Sequence, residues 1–403
     1  MDFRTLINKL FEDVSDDPFN GNLPPKIKVM SLQDFVQDET VETDAITEDP
    51  DKFLGASLRK LSNDELKSYL DRVITKEKEP TDKYKLPYIH RGSVIPIVDK
   101  NNNEYDLDAL RRLFTQRPDK ILKQNEKMKH SDGSTSVFYN VGLPALLGLA
   151  VDEKSGEFYV VDTCPGAGSC KIVCFAKKGG YVQWEASSLS QTRLLNYLLN
   201  DPDGFMSQLK KEVKQAVEKN TKKKNDVYIR WHDAGDFFSP AYVNKAFDLA
   251  REIPDATFYA YTKIADVVKS TKPDNFVINF SMGAKGREEK KVDFKKDKHS
   301  VIVPKELYMD YVTRKEMPTG KKDKDGKPKT ASKMIYKSAQ AIKDLKQKIA
   351  GTYDIDVASI LTYDEMLKAS KGSTNQYNVI VKPGDGDISA TRRDVLGTYL
   401  LEH

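Results

Sequence analysis

Cysteine is nearly absent from this chain: there are three in 403 residues, and all three fall inside TCPGAGSCKIVCF, residues 163–175. An odd, clustered set in an otherwise cysteine-free chain argues against a disulfide framework and for thiolate ligation of one centre. Long apolar runs are missing too, since no stretch approaches the roughly 20 apolar residues of a membrane helix. The opening residues MDFRTLINKLFEDVSDDPF are acidic and amphipathic. They lack the basic start and apolar run of a signal peptide, so the expectation is a soluble chain in the cytoplasm with no membrane partner.

What is present is ordinary for a protein with a substantial core: 39% of residues are hydrophobic and 31% charged. The length allows one large domain with appendages, or two domains. A net charge of +4 hides an asymmetry, because residues 1–80 hold 11 Lys and Arg against 18 Asp and Glu, which leaves +11 on the remainder. A basic remainder admits a nucleic-acid or nucleotide partner, although a Lys-rich segment such as Lys210 to Lys224 reads equally as a solvated face. Nothing in the sequence fixes the oligomeric state.

Residues 1–80 read as an acidic, helical and irregular extension, with an acidic stretch from Val41 to Asp51 and a capping box formed by Ser62 and Glu65 before LKSYLDRVI. Its weak patterning predicts that a chain beginning near Thr81 keeps its fold. Residues 81–403 form the core domain. Within it, from about Lys120, apolar strand candidates at 157–161, 226–231, 256–262, 275–281, 299–303 and 377–382 alternate with helices. The helices fall at 184–219 (broken at Asp201-Pro202), 240–252, 263–270, 304–314, 332–349 and 389–401. Strands apolar on both faces and joined by helices imply an α/β fold with parallel pairing. The expected architecture is a partial or complete parallel β/α barrel, with a doubly wound open sheet as the competitor. PTGKKDKDGKPKT, residues 318–330, reads as an exposed Lys-rich loop.

The chemistry-bearing residues follow strands. Cys164, Cys170 and Cys174 have the spacing C-x5-C-x3-C and come after the 157–161 candidate, at the strand end where β/α folds build sites. Three thiolates without an obvious fourth ligand differ from a structural zinc site, which takes four. A 4Fe-4S cluster held by three cysteines leaves one iron open to the amino and carboxylate groups of S-adenosylmethionine, although the usual radical-SAM spacing is C-x3-C-x2-C. WHDAGDFFSP, residues 231–240, places His232, Asp233, Gly235 and Asp236 after the next strand candidate. They form either a polar end contacting a cofactor or a simple turn with His232 packed on Trp231. FYAYTK puts Lys263 at another strand end, where an unpaired buried ammonium is costly. FSMGAKGR is a Gly-bearing loop whose Lys285 and Arg287 could hold an anion, a weak signal alone, and in VKPGDGDISATRRD, with Asp385, Asp387, Arg392 and Arg393, a turn explains the glycines and aspartates adequately.

Taken together, KILKQNEKMKH, TCPGAGSCKIVCFAKKG, Arg193, Asn196, RWHDAGDFFSPAYV, PDATFYAYTK and DVLGTYLLEH resemble the gene-product-88-like family of uncharacterised bacteriophage proteins. The order C…CFA, GDFFS, YTK is also similar to a wider set of phage and plasmid proteins treated as distant radical-SAM relatives, with Phe175 standing where they have tyrosine. The resemblance implies a radical-SAM-like barrel in the host cytoplasm. It implies a 4Fe-4S cluster on the three cysteines, S-adenosylmethionine lined by Asp233, Gly235 and Asp236, and Lys263 near the reacting centre. Two alternatives stay open. One is a zinc-stabilised nucleic-acid-modifying enzyme with His232 or His403 as fourth ligand and Asp233 or Asp236 as the reacting carboxylate. The other is a non-catalytic nucleic-acid-binding protein with a structural metal.

Overall fold

The computed structural model describes residues 47–48, 52–75, 87–99, 104–124, 135–174, 176, 180–322, 324, 326–369 and 376–402. His403, Phe175 and most of the acidic stretch 41–51 lie outside them. In chain order the main elements begin with β1 (Ser57–Leu61), α1 (Asn63–Thr75) and α2 (Leu107–Thr115). β2 (Ser136–Val141), β3 (Leu147–Val151), β4 (Phe158–Asp162), α3 (Glu185–Asn200) and α4 (Pro202–Thr221) follow. Next come β5 (Asp226–Trp231), α5 (Pro240–Arg251), β6 (Ala256–Thr262), α6 (Ala265–Lys269), β7 (Phe276–Ser281) and β8 (His299–Val303). The chain then forms β9 (Val312–Lys322), β10 (Pro328–Tyr336), α7 (Ala339–Tyr353), β11 (Ile360–Thr362), α8 (Tyr363–Lys368), β12 (Tyr377–Val381) and β13 (Val395–Leu401).

The protein is a mixed α/β structure organised by a large, mostly parallel sheet in the order β11-β12-β13-β8-β7-β6-β5-β2, with the antiparallel pair Lys123–Gln124 on the β2 edge. From β2 to β8 the chain crosses the sheet in one direction, and the helices between these strands pack on one face. Val141, Trp231, Phe258 and Ile278 point from that face into one core with α3, α4 and α5. By register, Val301, Tyr399 and Ile380 share the face, under α7. The opposite face carries Phe138, Tyr228, Tyr259, Val277 and Val379, filled in by Tyr363 and Met366 of α8. Among the described residues the outermost strands do not pair, so no closed barrel is formed. No helix of these residues is long and apolar enough to cross a membrane.

Local signals in the sequence carry through where they are strong. Asp201 caps α4 by accepting from Gly204 N, with Pro202 in the first turn, and Ser239 caps α5 by accepting from Tyr242 N, with Pro240 beside it. The 157–161 candidate does form a strand, but it pairs antiparallel with β1 and β3 in a second, four-stranded sheet. Its alternation suits either sheet, and the partner is decided by contacts far along the chain. The expected last helix, 389–401, is a single turn, Ile388–Thr391, followed by β13. A central strand buried on both faces is apolar throughout, and such a run does not distinguish strand from helix. The 318–330 segment spans the outer part of an antiparallel hairpin, β9–β10, which also takes the first residues of the expected 332–349 helix.

β3 lies at the edge of the second sheet, and two asparagines of α3 cover its free backbone. Asn196 accepts from Val151 N at 2.7 Å and donates to Leu149 O at 3.0 Å, while Asn200 donates to Val151 O at 2.8 Å and accepts from Glu153 N at 3.0 Å. On the other side β1 and α1, which belong to the expected extension, are built into the same body. Leu58 and Leu61 are buried on opposite faces of β1, and Leu66, Tyr69 and Leu70 of α1 are buried with Leu61 and with Phe158 and Val160 of β4. At roughly 1.5–3 kcal/mol for each buried side chain of this size, five such residues match the 5–15 kcal/mol net stability of a whole domain. A chain beginning at Thr81 should therefore aggregate or bind a hydrophobic dye strongly when compared with the full chain. Retention of a monomeric, cooperatively melting fold would show that β1 and α1 are dispensable.

Candidate functional site

Because β2 and β5 to β8 are parallel, their C-terminal ends lie along one edge, and the chemistry-bearing segments gather there. The cysteine loop belongs to β4 of the other sheet, yet it is stitched onto this edge by backbone hydrogen bonds. Gly168 N and Cys170 N both donate to Gly283 O at 3.1 Å, and Lys285 N donates to Gly166 O at 2.8 Å. The approach is close enough to require glycine: a Cβ on Gly168 would lie 2.2 Å from Ala284 O. The FSMGAKGR segment thus seats the cysteines, and its Lys285 contributes backbone rather than an anion-binding side chain to that contact.

Asp236 ties the edge together. It is 3% exposed; its N–H donates to Thr163 O at 2.8 Å, and its two oxygens accept from Phe237 N at 2.7 Å and Lys263 N at 2.8 Å. Burial pushes its carboxyl up to about 6, against the lowering effect of those amides and of the Lys263 ammonium. Lys263 sends its ammonium to the end of β7, donating to Ser281 O at 3.0 Å, Ser281 Oγ at 2.6 Å and Met282 O at 2.7 Å. All three of its N–H groups have acceptors, so it acts as a fixed positive charge. Burial draws its pKa down, while Cys170 and Asp236 pull it up.

Cys174 lies within electrostatic reach of both Cys164 and Cys170. Burial pushes the Cys164 thiol well up, helped by Asp236 and Cys174, and its sulfur accepts from Leu146 N at 3.3 Å. Burial also raises Cys170; Lys263 opposes that shift and Cys174 adds to it. Among the described residues no three His, Cys, Asp or Glu side chains are arranged to share a single metal ion as placed.

The remaining residues of the WHDAGDF segment divide. Asp233 sits against Gly142, where a Cβ would lie 2.0 Å from its Oδ1. Its Oδ2 accepts from Tyr181 at 3.2 Å, whereas Oδ1 is buried without a hydrogen-bond partner among the described residues. Burial raises this carboxyl despite Arg230 and Lys123. Gly235 has φ +82° and packs against Leu143, so its role is the turn. His232 is buried among Trp231, Phe237 and Tyr242, with Nε2 2.7 Å from the Tyr242 hydroxyl. Burial, with Arg230, holds it neutral by lowering its pKa to about 3.

Sequence reasoning passed over Arg230, which meets Asp387 at 2.9 Å, while Tyr259 of FYAYTK donates to the same carboxylate at 2.8 Å. An arginine facing inward from an apolar strand was the available signal. Tyr181 was also missed, since nothing local marks it. Of the weaker candidates, Asp385 accepts from Lys382 N at 2.8 Å and Arg392 pairs with Asp394 in the core, so both are structural.

Replacing Gly168 by Ala should push the cysteine loop off the Gly283 segment and lower the melting temperature by several degrees. Gly286→Ala, where no atom lies within 4 Å of the added carbon, should change it little. Equal melting temperatures for the two variants would show that the close approach is not required.

Comparison with known proteins matches this framework. The family model described as gene product 88 covers residues 113–351, more than half of the chain. The Gene 88 proteins of Mycobacterium phage L5 and Mycobacterium phage D29 are each 29% identical over 169 residues, covering 40% of this chain and 64% of theirs. No solved structure matches. The matched span contains β2 to β10, the cysteine loop, Asp233, Asp236 and Lys263, and on this evidence the chain belongs to the gene product 88 family.

Proposed function

We propose that the chain is an iron–sulfur enzyme of radical-SAM type, with Cys164, Cys170 and Cys174 holding a 4Fe-4S cluster and Asp233 receiving the ammonium group of S-adenosylmethionine. The observation that carries the reading is the buried, unpartnered Oδ1 of Asp233 on the same sheet edge as the three thiols. A buried carboxylate oxygen without a donor is costly, and a ligand ammonium would satisfy it. The donor set also fits. The Cys164 and Cys170 thiols, raised by burial and by the nearby Cys174, gain from a bound cation, and the fixed Lys263 ammonium favours the thiolate of Cys170.

When bound, such a cluster supplies one-electron chemistry to a ligand on its open iron. The chain's own residues do the rest. Asp236 holds the cysteine loop in register with the ends of β5 and β6, and Lys263 braces the end of β7. The one-directional winding from β2 to β8, with helices on one face, supports a relationship to β/α barrels that is looser than a closed ring. The zinc alternative would have to use Nδ1 of His232, which is buried without a hydrogen-bond partner among the described residues, because Nε2 lies on the Tyr242 hydroxyl inside an aromatic cluster.

Protein purified without oxygen should be brown and carry about four irons per chain; a colourless protein with about one zinc would overturn the assignment. Changing Cys164, Cys170 or Cys174 to Ala should sharply lower iron content. The two aspartates should then separate. Asp233→Asn should weaken S-adenosylmethionine binding by about 1.5–3 kcal/mol, the range of a charge-assisted hydrogen bond, with iron content unchanged. Asp236→Asn should instead lower thermal stability, because it disturbs two buried amide contacts. Unaltered affinity in Asp233→Asn would remove that residue from the site.

A further inference from the structure

The sheet face that carries α8 changes character toward the C-terminal strand ends. Phe138, Tyr228 and Tyr259 are packed there with Tyr363 and Met366 of α8. Side chains two apart on a strand share a face, so one pleat further on the same face presents Asn140, Arg230 and Tyr261. Register makes these residues neighbours: Asn140 lies opposite Arg230, and Arg230 lies opposite Tyr259. An apolar floor thus gives way to a polar row at the edge of the sheet.

Polar side chains on a covered face are ordinarily hydrogen-bonded, and in this row the pairing is incomplete. Arg230 is fixed from three directions. Its Nε donates to His232 O at 3.0 Å, its Nη1 donates to Asp387 Oδ2 at 2.9 Å, and its guanidinium lies 4.9 Å from the centre of the Tyr261 ring. A guanidinium has five N–H donors, and among the described residues no acceptor meets the others. Asp387 engages it through one oxygen only, which also accepts from the Tyr259 hydroxyl. Asn140 is 3% exposed, yet its amide has no hydrogen-bond partner among the described residues, and neither has the Tyr261 hydroxyl. A guanidinium held rigid with N–H groups to spare is preorganised for an oxyanion, which takes paired N–H···O bonds from it. The Asn140 amide and the Tyr261 hydroxyl offer further donors beside it. The one carboxylate nearby that would oppose an anion, Asp233, is countered by Lys123 as well as by Arg230.

We propose that Arg230, with Asn140 and Tyr261, forms a subsite for the carboxylate or phosphate group of a small anionic ligand other than S-adenosylmethionine. The inference rests on this face of the sheet and holds whether or not the cysteines carry iron.

The full chain is titrated with inorganic phosphate and, separately, with succinate at constant ionic strength, with chloride as the control, and affinity is read from the rise in melting temperature. At least one of the two should raise it well beyond chloride, and the one that does identifies the group as phosphate or carboxylate. Arg230→Gln should weaken that binding about tenfold or more, as expected for the loss of a charge-assisted hydrogen bond. Asn140→Asp keeps the side chain's shape and sets a competing carboxylate opposite Arg230. It should weaken binding about as much, and it decides the matter if Arg230→Gln does not fold. No rise beyond chloride, or native affinity in Asn140→Asp, would overturn the proposal. So would loss of binding in a Lys210→Ala, Lys211→Ala, Lys214→Ala variant, which would place the anion on the exposed face of α4. Displacement of the anion by saturating S-adenosylmethionine would also overturn it, by giving Arg230 to that molecule's own carboxylate. Cys174→Ala should bind the anion as the native chain does; loss there would put the anion on the metal centre, which keeps this outcome separate from the fate of the iron–sulfur reading.

Discussion

One buried carboxylate holds the candidate site in shape. A charge or polar group taken from water must be matched by hydrogen bonds, and Asp236 meets that demand with backbone amides from two segments, while its own N–H holds a third. The cysteine loop, the turn after β5 and the start of the segment after β6 therefore cannot shift independently. Strands set the coarse spacing along the edge; this residue sets the fine spacing. The position of the Lys263 backbone follows from it, and with it the path by which the ammonium reaches Ser281 and Met282.

The cysteines sit in a field that is not uniform. Cys170 lies near the Lys263 ammonium, whereas Cys164 feels the carboxyls of Asp236 and Asp162. Burial opposes thiolate formation at both, and the Lys263 ammonium, which reaches both sulfurs, acts more strongly on Cys170. The loop thus presents chemically unequal thiols before any ligand arrives, and the inequality comes from which strand end each approaches.

Much of the site was legible because its signals are local. Clustered cysteines, a Gly-Asp turn after an apolar run and a lysine at a strand end each announce themselves within a few residues. What was not legible depends on distance. Asp233 and Asp236 look equivalent in WHDAGDF, yet one accepts from amides as far away as Lys263 and the other keeps a bare oxygen against Gly142. His232 looked like a free ligand, but Tyr242, ten residues on, holds its Nε2 and leaves only Nδ1 buried without a hydrogen-bond partner among the described residues. The fold divides in the same way. The caps of α4 and α5 could be read from the sequence, but the antiparallel partners of β4 lie about a hundred residues upstream and about ten residues before it. β13 had no marker to separate a central strand from a helix.

The asparagine pair on α3 has a consequence for how this part of the chain can change. Four residues of helix advance about 6 Å and two residues of strand nearly 7 Å, so Asn196 and Asn200 meet successive steps of β3 only because their interval is four. Each residue of helix also turns the side chain by about 100°. A single insertion or deletion between them would swing one amide off the strand and leave an open sheet edge. This short interval should therefore tolerate exchange of its intervening residues while rejecting any change in its length.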